Sequence, residues 1–322
     1  MISPRQSLPL LGLVVGLSAC ATSSPPGHPA TELAALLGVP ESTRFLIIHG
    51  DDLAMTPAIN SATIDALDRD VVTSASIIAN GSWLHELGPV ANRSVQPDLG
   101  VHLTVTSEST ELPMAPILPV ARVSTLVDPA GYLNIDFDGS PPAEPTEIES
   151  ELRAQIARVR ASGIEITHLD SHQGRLYSDS TTFAAFRRVA RSECLPIRLA
   201  RTSFEQSPYL ADAETDGHFV LNDIVSIGPD VPPEDWFAFY EAAIQNLQPG
   251  VTEMVVHVGT DTDEERALFS AHPPHWWGAD WRQRDVDVLS DPRFRELLST
   301  HGVRLIAWGD LAPVLALCQP QS

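Results

Sequence analysis

Several separate pieces of this chain carry residues that could do chemistry together. Asp51 and Asp52 stand side by side after the apolar run Phe45 to Ile48, and His102, His172 and His257 follow Asp52 at intervals of 50, 70 and 85 residues. Adjacent carboxylates repel one another, so a cation must offset them wherever water does not. Two neutral imidazoles and one carboxylate, with positions left open for water, form the ligand set of a catalytic divalent metal. A closed structural site would prefer Cys. Water bound to such an ion is more acidic and attacks carbonyls, and a further carboxylate and a further His complete the parts needed to hydrolyse an amide. Taken singly, each residue has an ordinary explanation. Asp51-Asp52 suits a solvated loop ahead of a helix opening at Thr56-Pro57, and a lone strand His is more often a satisfied core residue. Their joint arrival at strand ends carries the site reading.

The elements that must position them are short and alternating. Apolar strand patterns fall at 44–49, 74–79, 98–105, 164–169, 196–200, 251–257 and 303–308. The run Phe45 to Ile48 has no polar alternation, as in a strand buried on both faces of a parallel sheet. Helical patterns lie between the strands. Pro145 to Ser162 places Ile148, Leu152, Ile156 and Val159 on one face, opens with Pro and is followed by Gly163, and a second helix is expected from Val286 to Thr300. This alternation predicts one α/β domain, a (β/α) barrel-like fold with seven parallel strands in a distorted barrel. Residues 106–143 and 202–232 read as long loops that would build the rim. The segment 259–282 adds Trp276, Trp277 and Trp281 with His272 and His275, a group suited to stacking on sugar rings if it is exposed, although packing under a long loop is the more ordinary role of any one Trp.

Composition excludes several classes. The chain has 322 residues, a formal charge of -22 and no Lys, all 20 basic residues being Arg. Nucleic acid and anionic membrane surfaces are poor partners for such a chain, and Schiff-base or P-loop chemistry lacks its Lys. At the start, Arg5, the apolar stretch Leu8 to Leu17 and Leu17-Ser18-Ala19-Cys20 resemble a bacterial lipoprotein signal. The expected organisation is a signal over 1–19, a lipidated Cys20 with a flexible tether over 20–40, and the α/β domain over 41–322. The resemblance implies a lipid anchor in the cell envelope, and Ala21 favours the outer membrane facing the periplasm where a cell has two membranes. Cys194 and Cys318 are compatible with a disulfide or with two free thiols.

The motifs sharpen the reading. Gly50-Asp51-Asp52-Leu53-Ala54, the helix and strand around Asn60 to Ala66 and Val72 to Ser76, Gly100-Val101-His102-Leu103 and Thr167-His-Leu-Asp-Ser-His172 follow in order. Together they resemble the YdjC/ChbG family of carbohydrate deacetylases, over roughly residues 44 to 310. The family's first motif is Ala-Asp-Asp-Phe-Gly, and Thr167 to His172 matches its counterpart in full. The resemblance implies that Asp52, His102 and His172 hold one divalent metal ion, Mg2+ or Zn2+. It also implies that Asp51 is the general base, that His257 is the general acid and that Arg198 orients Asp51. The substrate implied is an acetylated amino sugar or oligosaccharide. Asp170 reads as the cap of the turn before His172. The chain departs from the family at Gly174, where another His is usual, at Val256-His257-Val258 in place of Cys-His-Pro, and around Arg282 to Asp285, a loose echo of Arg-x-x-Glu-Leu. These departures leave room for a catalytically inactive glycan-binding lipoprotein, or a hydrolase of another amide or ester, on the same scaffold.

Overall fold

A computed structural model describes residues 29–107, 109, 111–135, 143–270, 277–315 and 317. Its strands are β1 (Arg44–Leu53), β2 (Ser74–Ile77), β3 (Leu99–Leu103), β4 (Leu169–Ser171), β5 (Asp223–Ser226), β6 (Gly250–Val256) and β7 (Val303–Leu305). Its helices are α1 (Pro29–Leu36), α2 (Pro57–Asp68), α3 (Gly88–Ala91), α4 (Pro145–Ala161), α5 (Ser180–Glu193), α6 (Asp212–Thr215), α7 (Trp236–Gln245), α8 (Asp263–Leu268), α9 (Ala279–Ser290) and α10 (Pro292–Thr300). The strands run in the order β4-β3-β2-β1-β6-β5, every pair parallel, with β7 beside the first residues of β1. The sheet curls into a barrel-like wall. Between β4 and β5 the wall continues through 196–200, by single parallel bridges Leu169↔Ile197 and Ala200↔Leu221. No described helix is long and apolar enough to cross a membrane.

Strand periodicity sorts β1 into two faces. Leu46 and Ile48 join the large apolar cluster that carries the outer helices. Phe45 and Ile47 join a second cluster with Phe219, Leu221, Val251 and Trp308. Ala30, Leu33 and Ala34 of α1 complete that second cluster, so the tether expected over 20–40 gives way at Pro29 to a helix packed beneath the sheet. Two residues further along the same face stands His49, fully buried between the hydroxyls of Ser74 at 2.7 Å and Ser76 at 3.1 Å. The interior therefore changes from apolar at the floor to polar at the carboxyl ends of the strands, where ligands bind in α/β folds.

Several expectations need correction. The segment 196–200 makes bridges to both neighbours but no ladder of its own. The strand expected at 164–169 is formed only at Leu169–Ser171. β5 lies inside 202–232, read from sequence as loop, because a half-exposed four-residue edge strand carries too little apolar periodicity to stand out. The helix expected over 286–300 is two. Pro292 cannot donate and pushes Asp291 to φ -68, ψ 126, and the Asp291 side chain then caps α10 by accepting from Arg293 N at 2.9 Å. Cys194 is disulfide-bonded, and Cys20 and Cys318 lie outside the described residues.

Candidate metal centre and active site

Two adjacent residues of a regular strand point to opposite faces, so Asp51 and Asp52 could not both serve one site without a local break. β1 supplies it. Its register against β2 shifts between Gly50 and Leu53, and Asp52 takes a left-handed φ of 71°, which turns its carboxylate to the same rim as Asp51. Ala54, with φ 79°, is left-handed too. It stands where the related motif has Gly, and a Cβ in that conformation costs about 1–2 kcal/mol. Ala54→Gly, which gives back part of that gain as unfolded-chain entropy, is expected to stabilise the fold by up to about 1 kcal/mol in urea unfolding.

Asp52, His102 and His172, all buried, offer three ligand atoms to one point. Asp52 Oδ1 lies 3.4 Å from His102 Nε2 and 3.4 Å from His172 Nδ1, yet it accepts no hydrogen bond. A buried carboxylate oxygen left in that state between two imidazoles fits a cation. Bonds of about 2.1 Å in a tetrahedral arrangement space ligand atoms by about 3.4 Å. Charge agrees with geometry. Burial would push Asp52 up, but Arg282 and the two imidazoles hold it well below the usual carboxylate range. Burial works against a charge on His102, yet Asp170 and Asp51 push that imidazole up to about 10. A pocket anionic enough to retain this proton attracts a divalent cation for the same reason.

The His102 ring is held from behind. Asp170 Oδ1 binds His102 Nδ1 at 2.7 Å, leaving Nε2 toward Asp52, so Asp170 braces that ring and does not cap the turn. Ser171 Oγ takes that local role, accepting from Leu176 N at 2.9 Å. After His172 the chain reverses through Gln173 and Gly174, both left-handed, and nothing lies within 4 Å of where a Gly174 side chain would begin. The glycine of Gly100-Val-His102 also has a reason. A Cβ on Gly100 would sit 2.4 Å from Nε2 of His168, whose ring stacks on Trp308.

Asp51, on the same rim, has its own set of partners. Arg198 binds it through both oxygens, at 2.7 and 3.0 Å, and approaches Asp170 Oδ2 at 3.1 Å and Glu253 Oε1 at 3.3 Å. His49 Nε2 stands 3.3 Å from Asp51 and 3.2 Å from Asp170. Burial alone would push Asp51 up, but Arg198 and His102 bring it below its ordinary value, so it is ionised near neutral pH. The nearer Asp51 oxygen is 3.7 Å from His102 Nε2, which sets the carboxylate beside the Asp52/His102/His172 cluster.

His257 follows Val256, the register partner of Gly50, and so leaves the sheet at the edge that carries Asp51 and Asp52. Burial lowers its imidazole to about 4 against the pull of Asp52 and Asp51, which leaves it neutral at pH 7. Its backbone N–H donates to Asp285 Oδ2 at 2.8 Å, while Asp285 Oδ1 accepts from Trp236 Nε1 at 2.8 Å and from Tyr240 at 2.6 Å. One turn earlier on α9, Arg282 donates to Asp52 Oδ2 at 2.7 Å and to the Trp277 carbonyl at 2.9 Å. The six residues expected from sequence therefore meet at one rim. His49, Asp170, Glu253, Arg282 and Asp285 complete it, and of these the Arg282 and Asp285 positions had only a loose motif to mark them. Trp281 takes the packing role that is the ordinary one for a single Trp of this segment, and does not join a stacking surface. That ring is buried, edge-on to Trp236 at 4.7 Å, because it packs α9 against α7. Trp277 is partly buried against the same core, and Trp276, His272 and His275 lie outside the described residues.

Comparison with known proteins places the chain among relatives of one family. The family model described as YdjC-like protein matches residues 45–300. A carbohydrate deacetylase of Thermus thermophilus is 31% identical, covering 80% of this chain and 90% of the relative. One of Enterococcus faecalis is 29% identical over 283 residues, covering 84% of this chain and 99% of the relative. A crystal structure of an Enterococcus faecalis protein named for cellobiose-phosphate cleavage superposes with a TM-score of 0.70 at 26% identity, covering 84% of this chain and 99% of that one.

Proposed function

The chain belongs to the YdjC-like family, and from that premise we propose that it is a metal-dependent deacetylase of N-acetylated amino sugars or oligosaccharides. The observation that carries the reading is Asp51, ionised and gripped by Arg198, beside a buried Asp52/His102/His172 triad whose Asp52 Oδ1 accepts no hydrogen bond. A divalent ion, Zn2+ or Mg2+, held by Asp52, His102 and His172 would polarise the acetyl carbonyl and acidify a water. The residues around that point divide the proton work. Asp51, its carboxylate fixed at two points, takes the proton of the attacking water. His257, neutral at rest, receives that proton in turn and hands it to the nitrogen as the carbon–nitrogen bond breaks. Water and amide become acetate and a protonated amine. Arg198 keeps Asp51 charged and in place, and Asp170 holds the His102 ring.

The substrate class rests on the names of the relatives, and the anchorage on Cys20. We place the protein in the cell envelope, lipid-attached through Cys20 and acting on glycan there. Incubation with acetylated chito-oligosaccharides tests the activity. Acetate release is expected from purified protein, to be lost with a chelator and restored by adding back Zn2+ or Mg2+. Absence of acetate with every metal would leave a glycan-binding protein instead, and undiminished release after complete metal removal would refute metal dependence.

A further inference from the structure

We propose that Asp285 is a positioning residue of this site. It fixes the backbone of His257 on one side and α7 on the other, and so sets where the proton-donating imidazole stands relative to Asp52. The inference rests on the deacetylase reading above and deepens it. Asp285 is fully buried on α9 and makes three hydrogen bonds that use both of its oxygens. Arg282, one turn before it on the same helix, grips Asp52. One helix face thus holds both a metal-ligating carboxylate and the segment bearing the imidazole, and the spacing between them is set by one rigid turn.

The chemistry of the three donors shows why a carboxylate is needed. Trp236 Nε1 and the His257 backbone N–H can only donate, and they address different oxygens of Asp285. Only the Tyr240 hydroxyl can reverse its role. An amide at this position offers one oxygen and one NH2 group, so whichever way it turns, a donor faces a donor. If its oxygen meets His257, its NH2 faces the Trp236 N–H, and if it turns over, the His257 bond is lost. Removing the indole N–H relieves the conflict. With Phe at 236, an Asn at 285 can accept from His257 and donate to the Tyr240 hydroxyl.

The test compares full-length, metal-loaded wild type, Asp285→Asn, Trp236→Phe and the double variant on acetylated chito-oligosaccharide. Asp285→Asn is expected to lower kcat by about 10–100-fold, as loss of alignment does, with KM within about twofold of wild type and metal content equal. The double variant is expected to recover at least about tenfold of that loss, a coupling that additive structural damage would not produce. The His257 amide proton resonance should move upfield in Asp285→Asn and return toward wild type in the double. Wild-type kcat in Asp285→Asn, or a folded double variant with no recovery and an unrestored amide signal, would overturn the inference. If Asp285→Asn does not fold, the double variant decides alone: it must be folded and within about tenfold of wild type. Failure of wild type to release acetate would strike the deacetylase reading, and the amide signal would still judge the role of Asp285.

Discussion

Asp51→Asn is expected to reduce turnover by about 1,000-fold or more while leaving metal content nearly unchanged. Loss of a positioned general base costs about 10²–10⁴ in rate, and the substituted amide has no basic oxygen to take a proton from water. The fold should tolerate the change. Arg198 still lies 3.1 Å from the ionised Asp170 and 3.3 Å from Glu253, so its buried charge keeps a counter-charge and a second polar partner when Asp51 is neutralised. The ligand atoms of Asp52, His102 and His172 are untouched, since the nearer Asp51 oxygen stands 3.7 Å from His102 Nε2. The two measurements must therefore separate, with acetate release falling and metal stoichiometry by elemental analysis holding. Full activity in Asp51→Asn would remove Asp51 from its role. Parallel loss of metal would make it a ligand.

His172→Ala is expected to fail in the opposite way. It removes one of three ligand atoms, and metal affinity should fall by more than about 100-fold, because even partners behind a ligand cost about 10–100-fold when removed. Activity should disappear with the metal and return in part when the ion is supplied in large excess. Asp170→Asn, which leaves the ligand atoms but disturbs the 2.7 Å contact behind His102, belongs between the two, with weakened binding and residual turnover. Titration of a chelator against each protein checks the order without reference to any substrate. If His172→Ala binds metal as tightly as wild type, the proposed ligand triad is wrong.

Much of this protein is readable along the chain because its determinants are local. A continuous apolar run specifies β1, a Pro start and a helical stripe specify α4, and residues that follow a parallel strand collect at the carboxyl edge of the sheet. Strand ends alone therefore carry Asp51, Asp52, His102, His172 and His257 to one rim. The same logic misses β5, whose four residues are half-exposed, and runs one helix through Asp291-Pro292, where a single proline outweighs an unbroken apolar pattern.

What the sequence by itself determined was the inventory of reacting groups and the edge on which they meet, since both follow from short-range patterning and parallel-sheet geometry. Only the tertiary structure decided how those groups are aimed and charged. The grip of Arg282 on Asp52 across 230 residues, that of Arg198 on Asp51 across 147 and the anchoring of His257 by Asp285 are long-range facts. Their physical cause is burial. Once water is excluded, each carboxylate must find its partner wherever the folded chain happens to bring one, and no spacing along the sequence records that choice.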